Sequence, residues 1–249
     1  MIKQFFNINY EFDPAEVHKA IEQRLLLPGA DYICVADGVI LATANRVPEY
    51  LNVVNSGMFS ICDSSYVPLY IKMIHGEHYH QYCGSQIFRD IVGSRKHRML
   101  FLGTQQSVLD SLKKNISKWN PDVKDMKFIE LPFCRVEKFD YESIAHQIEE
   151  DHPDIIWVAL GAPKQEYFMS RLKPFLSHGV MIAVGAAFKF YSGQEEKRAP
   201  EWVVRNHLEF LYRIVQDPKK QLRRCFGIIR ELPHLFAEER KNKELQPHY

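Results

Sequence analysis

Two short apolar runs, each closed by glycine, dominate the hydrophobic pattern of this chain. Ile155-Ile156-Trp157-Val158-Ala159-Leu160 leads into Gly161-Ala162-Pro163-Lys164-Gln165-Glu166. Val180-Met181-Ile182-Ala183-Val184 leads into Gly185-Ala186-Ala187-Phe188. Continuous apolar runs of this length, bounded by turn residues, predict strands buried on both faces. Arg98–Leu102 followed by Gly103 repeats the pattern. Helical spacing fills the intervals: Gln105–Trp119 sets Val108, Leu109, Leu112 and Ile116 on one face, and Ser143–Glu150 and Lys164–Leu176 read as further helices. Recurring strand–glycine–helix units predict an α/β fold, a Rossmann-like and mainly parallel sheet flanked by helices. Ligands bind outside the carboxyl ends of strands in such sheets, so the ends at Leu160 and Val184 form the first candidate crevice.

The first half is less regular. Ile2–Tyr10 has strand composition. Asp13 is placed as an N-cap before Pro14, and Val17, Ala20, Ile21, Arg24 and Leu25 follow helical spacing up to Pro28-Gly29. Tyr32–Ala36 and Val39–Ala42 flank Asp37-Gly38, a dipeptide that predicts a hairpin, with Thr43-Ala44-Asn45 ending its second strand. A helix over Pro48–Asn55, a strand over Met58–Cys62 with Asp63-Ser64-Ser65 at its carboxyl end, and helices over Val67–Ile74 and Gln86–Val92 follow. Lys127–Leu131 reads as a strand.

Beyond Arg198 the character changes. The pattern divides the chain into an α/β core over 1–195 and a helical appendage over 196–249. Glu201–Val215 has helical periodicity. Asp217-Pro218 then opens a basic amphipathic helix with Leu222, Phe226, Ile229, Leu232 and Phe236 near one face, and Pro233 is expected to kink or end it. Such a helix docks on its own core or lies on a membrane surface; composition alone favours docking.

Composition narrows the classes. The 249 residues, 46% hydrophobic and 25% charged, suffice for a sizeable core in one large domain or two small ones. A net charge of +1 gives no whole-protein argument for a nucleic-acid partner. Cys34, Cys62, Cys83, Cys134 and Cys225 are odd in number and form no Cys-x-x-Cys pair, which disfavours a disulfide framework or zinc site and fits a reducing cytosol. Neither a signal peptide nor a run of about 18 apolar residues is visible.

Asp63, at a strand end, suits a general base or a helix cap. Thr43 and Asn45 either hydrogen-bond a sugar or phosphate or close a turn. The Gly161–Glu166 turn can offer N–H groups to an anion. The chain has no Gly-x-Gly-x-x-Gly fingerprint or P-loop, which leaves a standard dinucleotide site, and with it an oxidoreductase reading, unsupported. It also lacks an Asp-x-Asp pair for a divalent metal. Arg198, Arg205, Arg213, Arg223 and Arg224 suit phosphate, or form a solvated face. His75, His78 and His80 fit no metal-site spacing.

Taken together, Gly161–Glu166, Val184–Phe188, Tyr191-Ser192-Gly193, Arg198-Ala199-Pro200-Glu201-Trp202, Leu208–Arg213, Asp217-Pro218 and Arg223-Arg224 resemble the bacterial WecG/TagA/CpsF glycosyltransferases (glycosyltransferase family 26). Thr43-Ala44-Asn45 looks like the family's Thr-Pro-Asn segment, and Ile61-Cys62-Asp63 like the strand before its Asp-Gly. The resemblance implies transfer of an N-acetylmannosamine-type or related sugar from a UDP donor to an undecaprenyl-diphosphate-linked sugar. It further implies inversion, no obligatory metal and no cofactor, and a place in teichoic acid, common antigen or capsule synthesis on the cytoplasmic face of the cell membrane. Asp63 maps to the base and Thr43 to an active-site threonine, with Asn45 beside it. The nucleotide is expected over Gly161, Pro163, Lys164, Gln165, Glu166, Gly185, Ala186 and Ala187. Arg198, Arg213, Arg223 and Arg224 would meet diphosphate, and the C-terminal helix would touch the membrane. An apolar face there also leaves a homo-oligomer open. Lys189 stands where the family usually has Asp, Ser64 replaces the Gly after the base, and the interval from Thr43 to Asp63 looks several residues short. These departures leave an acidic sugar, and a non-catalytic UDP-binding scaffold, as alternatives.

Overall fold

The computed structural model describes residues 2–194 and 218–245, with side chains of the last stretch over 226–244. Eight strands form one sheet: β1 Lys3–Phe5, β2 Ile8–Tyr10, β3 Asp31–Ala36, β4 Phe59–Cys62, β5 Met99–Gly103, β6 Phe128–Ile129, β7 Ile155–Ala159 and β8 Val180–Ala183. Their order is β1-β2-β4-β3-β8-β7-β5-β6. Every neighbouring pair is parallel except β1 and β2. The expected mainly parallel α/β sheet is therefore observed.

The apolar runs are buried on both faces, and their side chains alternate between two cores. Tyr32, Cys34, Ile156, Val158 and Met181 join one core, while Ile33, Val35, Trp157 and Ile182 join the other. The first core is covered by α2 Gly38–Arg46, α3 Pro48–Asn55, α4 Tyr66–His75, α7 Tyr141–Glu149 and α8 Lys164–Leu172. The second is covered by α1 Pro14–Leu25, α5 Gly84–Ser94, α6 Gln106–Ile116 and α9 Ala187–Ser192. Asp13 caps α1 as expected, accepting from the Ala15 N–H.

Four expectations are corrected and a fifth is narrowed. The Ile2–Tyr10 strand is a hairpin, turned at Phe6 and Asn7, whose φ values of 51° and 63° match the doubly left-handed turn that hairpin twist favours. Asp37-Gly38 makes no hairpin. Asp37 Oδ1 accepts from the N–H groups of Val39 and Ile40 at 2.9 Å each, so it caps α2, and Val39–Ala42 are helical. Both edges of β3 are already taken, by β4 and β8, which leaves no edge for an antiparallel partner. Thr43-Ala44-Asn45 thus lies in the last turn of a helix, not at a strand end. The helix from Lys164 stops at Leu172, giving way to a 3-10 turn over Lys173–Phe175 that contains Pro174. Finally, of the two outcomes expected at Pro233, a kink or an end, the end does not occur: the C-terminal helix, α10 Pro218–Leu245, runs through it.

α10 packs on α2 and α4. Ile228 Cδ1 lies 3.0 Å from where a Cβ on Gly38 would stand. Phe236 meets the rings of Tyr70 and Phe6. Leu235 is buried. Buried Glu239 accepts from the Phe6 N–H at 2.7 Å and meets His75 Nε2 at 2.8 Å, and Lys243 donates to the Ile74 carbonyl. Ile228 is therefore level with the carboxyl edge of the sheet, and Glu239 with the β1–β2 turn at the opposite edge.

Candidate functional site at the carboxyl edge of the sheet

β3 and β8 are adjacent, yet β3 is followed in sequence by β4 on one side and β8 is preceded by β7 on the other. This is the point at which strand order reverses, where open α/β sheets bind ligands. The groups gathered there come from four strand ends.

Two of them are glycine turns. Gly161 after β7 has φ 77° and Gly185 after β8 has φ 48°, left-handed values that a side chain would strain. Gln165, on the first turn of α8, joins the two. Its Oε1 accepts from the Gly161 N–H at 3.1 Å and lies 3.6 Å from where a Cβ on Gly185 would stand. The Ala162–Pro163 peptide is cis. Ala186 is exposed and Ala187 buried beneath it.

Asp63, half-buried after β4, enters through α5. Its Oδ1 accepts from the Gly84 N–H at 2.8 Å. A Cβ on Gly84 would stand 3.7 Å from Val184 Cα and 3.1 Å from Val35 Cγ1, so the start of α5 lies close against the ends of β3 and β8. Asp63 is thus bonded to Gly84, which lies beside Val184, and Gln165 is bonded to Gly161 and lies beside Gly185. Asp37, at the end of β3, completes the edge.

Other expected site residues sit elsewhere. Asn45 is about 12 Å along α2 from its cap at 1.5 Å per residue. Its Nδ2 donates to the Phe6 and Leu41 carbonyls and its Oδ1 accepts from Asn7, which ties α2 to the hairpin. Thr43 is half-buried in the same last turn. Neither is brought to the crevice. Lys164 lies over the rings of Phe139 at 4.8 Å and Phe133 at 5.6 Å, turned from the turns toward α7. Glu166 points into the core. Lys189 is exposed on α9. Tyr191-Ser192 is fixed through its carbonyls, which accept from Asn115 Nδ2. Arg198 and Arg213 lie outside the described residues, and Arg223 and Arg224 fall on the first turns of α10. At five and four residues before Ile228, they extend about 6 to 8 Å past the level of Gly38.

Asp37 and Gly84 were missed by sequence reasoning. A signal existed for Asp37: Ile40, Leu41 and Ala44 after it carry helical spacing. Gly84 has none, because its neighbours Val35 and Val184 are far away in sequence. Two open concavities, of about 520 Å³ beside Trp119 and Tyr191 and about 420 Å³ beside β6, contain none of the crevice residues. The edge is therefore defined by its converging groups and not by cavity size. Among the described residues, no three His, Cys, Asp or Glu side chains converge as a metal site.

The family model of the WecG/TagA/CpsF glycosyl transferases matches residues 4–245. The chain is 26% identical over 227 residues to the N-acetylglucosaminyldiphosphoundecaprenol N-acetyl-beta-D-mannosaminyltransferase of Bacillus subtilis (strain 168), covering 87% of this chain and 86% of that protein. It is 26% identical to the protein of the same name from Bacillus spizizenii, covering 88% and 82%, and 23% identical to that of Staphylococcus aureus (strain MW2), covering 85% and 80%. With a match that runs from β1 to the end of α10, the chain belongs to the WecG/TagA/CpsF family of glycosyl transferases.

Proposed function

We propose that this protein moves a sugar of the N-acetylmannosamine type or a related one, acidic sugars included, from a UDP donor to an undecaprenyl-diphosphate-linked acceptor in cell-surface polysaccharide synthesis. The observation that carries this reading is Asp63, held by the Gly84 N–H beside Val184 and Gly185. A base is needed there and is supplied. Asp63 takes the proton of the acceptor hydroxyl, the oxygen attacks the anomeric carbon opposite the diphosphate, and the carbon–oxygen bond to UDP breaks with both electrons leaving on the nucleotide. The anomeric centre inverts. The donor diphosphate lies over Gly161–Gln165 and Gly185–Ala187, where the first turn of α8 favours negative charge. Arg198, Arg213, Arg223 and Arg224 oppose the charge of the departing UDP. Lys189 meets phosphate or the acidic group of the sugar.

The names of the Bacillus relatives carry the acceptor and the mannosaminyl sugar; the UDP carrier and metal independence come from the family resemblance. Residues 1–195 serve as the catalytic core and 196–249 as an acceptor- and membrane-contacting appendage. No helix among the described residues is long and apolar enough to cross a membrane. Phe226 and Ile229 on α10 are 72% and 61% exposed, and α4 beside it exposes Leu69 and Met73, which supports peripheral contact with a lipid surface.

The test is UDP release from a panel of UDP-sugars with a short-chain prenyl-diphosphate-linked GlcNAc. Acceptor-dependent release with one donor is expected and identifies the sugar. UDP binding without release from any donor would favour the scaffold; absence of UDP binding would overturn the reading.

A further inference from the structure

Gln165 and Glu166 are consecutive on α8, and together they connect the crevice to the core. The Gln165 amide has one oxygen and one NH2 group. Its oxygen is occupied by the Gly161 N–H, so its Nε2 faces inward, donating to Glu166 Oε1 at 2.9 Å. Glu166 is fully buried. Its Oε2 accepts from the hydroxyl of Tyr50, itself buried on α3, at 3.0 Å. No ion pair reaches Glu166 among the described residues. The other groups acting on its charge are Asp37 at the cap of α2, which opposes ionisation, and the thiol of Cys34 and phenol of Tyr32 on β3, each held neutral chiefly by burial. Burial, ahead of these, pushes the carboxyl up to about 7.

A carboxylate without a cation thus stands one side chain below the turn on which the nucleotide diphosphate is read to lie. We propose that Glu166 is a positioning residue of that site, orienting Gln165 beneath the Gly161 and Gly185 turns and taking up a proton when a nucleoside diphosphate binds over them. The inference rests on the UDP-donor reading above. Its logic is electrostatic. Diphosphate adds negative charge to that of Asp37 at the same edge, and like charge disfavours the ionised form. The proton goes to Glu166, and Oε1 remains an acceptor for Gln165 in either state, so the turn keeps its geometry while the charge is removed. Glu166 touches no ligand atom; it acts through Gln165.

The experiment is calorimetric titration of UDP into the full chain from about pH 6 to about pH 8.5, in buffers of differing ionisation enthalpy. In the wild type, binding is expected to take up as much as one proton near Glu166's own range. Affinity then falls by up to about tenfold per pH unit above it. In Glu166→Gln the amide keeps the size of the side chain and cannot titrate. Its affinity is expected to match wild type at low pH and to exceed it several-fold at high pH. The terminal phosphate of UDP titrates alike in both proteins, so the difference isolates Glu166. Tyr50→Phe removes a bond to the ionised form and is expected to move the affinity loss to higher pH. Cooperative thermal unfolding of both variants verifies that they fold. Equal proton uptake in wild type and Glu166→Gln would overturn the inference and leave the donor reading standing. No UDP binding by wild type at any pH would overturn both.

Discussion

Replacing Asp63 by Asn preserves the side chain's size and its bond from the Gly84 N–H, and removes the basic oxygen. Turnover is expected to fall by about 10² to 10⁴, with UDP affinity little changed. Kinetics combined with UDP titration check this; near-wild-type turnover would remove Asp63 from the chemistry. Glu166 makes a separate prediction about stability. Its carboxyl is raised from 4.5 to about 7, chiefly by burial. The folded chain then binds more protons than the unfolded chain between these values. Stability from this group is accordingly full below about pH 4.5 and declines by as much as about 1.4 kcal/mol per pH unit up to about pH 7. Glu166→Gln is expected to remove that decline, and chemical denaturation at several pH values measures it. The place of Asp63 at a strand end was legible because an apolar strand runs straight into it. Glu166 was grouped with the ligand contacts because the sequence does not reveal which way adjacent side chains of a helix start will face.

At the level of elements, α10 is held in part by charged groups, of which Glu239 is buried and Lys243 reaches the Ile74 carbonyl. Glu239→Ala leaves the Phe6 N–H without its acceptor and His75 without its carboxylate in a buried setting. A loss of about 3 kcal/mol is expected in denaturant unfolding. The outward side of the same helix carries the lipid prediction. Serine at both Phe226 and Ile229 is expected to lower co-sedimentation with anionic vesicles several-fold while UDP affinity is retained. Unchanged co-sedimentation would move the membrane contact elsewhere. The face that docks shares Phe236 with the face read in the sequence, but Ile228 and Leu235 pack inward and Phe226 and Ile229 stay exposed. Both are apolar stripes, and periodicity alone does not say which meets α2. The Asp37-Gly38 misreading has the same origin. Asp suits a tight turn and a helix cap equally, and the choice is made by β4 and β8, which occupy both edges of β3.

For the whole molecule, the sheet brings four strand ends to one edge, and only their joint presence gives the site its character. A chelator is expected to leave acceptor-dependent UDP release unchanged; loss of activity, restored by one added divalent ion, would contradict the metal-free reading. The recurrence of strand, glycine and helix was enough to predict that edge, because buried parallel strands need continuous apolar runs. The order of the strands was not, because nothing local in β3 announces that its neighbour is β8. That pairing, which sets Asp31 against Val180, also governs how the protein is made. At 5 to 20 residues per second, about 7 to 30 s of synthesis separate the two partners. Throughout that interval β3 is an apolar strand with one edge unsatisfied. The emerging chain is thus open to mispairing until its second half arrives, and chaperones are expected to be needed before the ribosome has passed β8 and seldom after it.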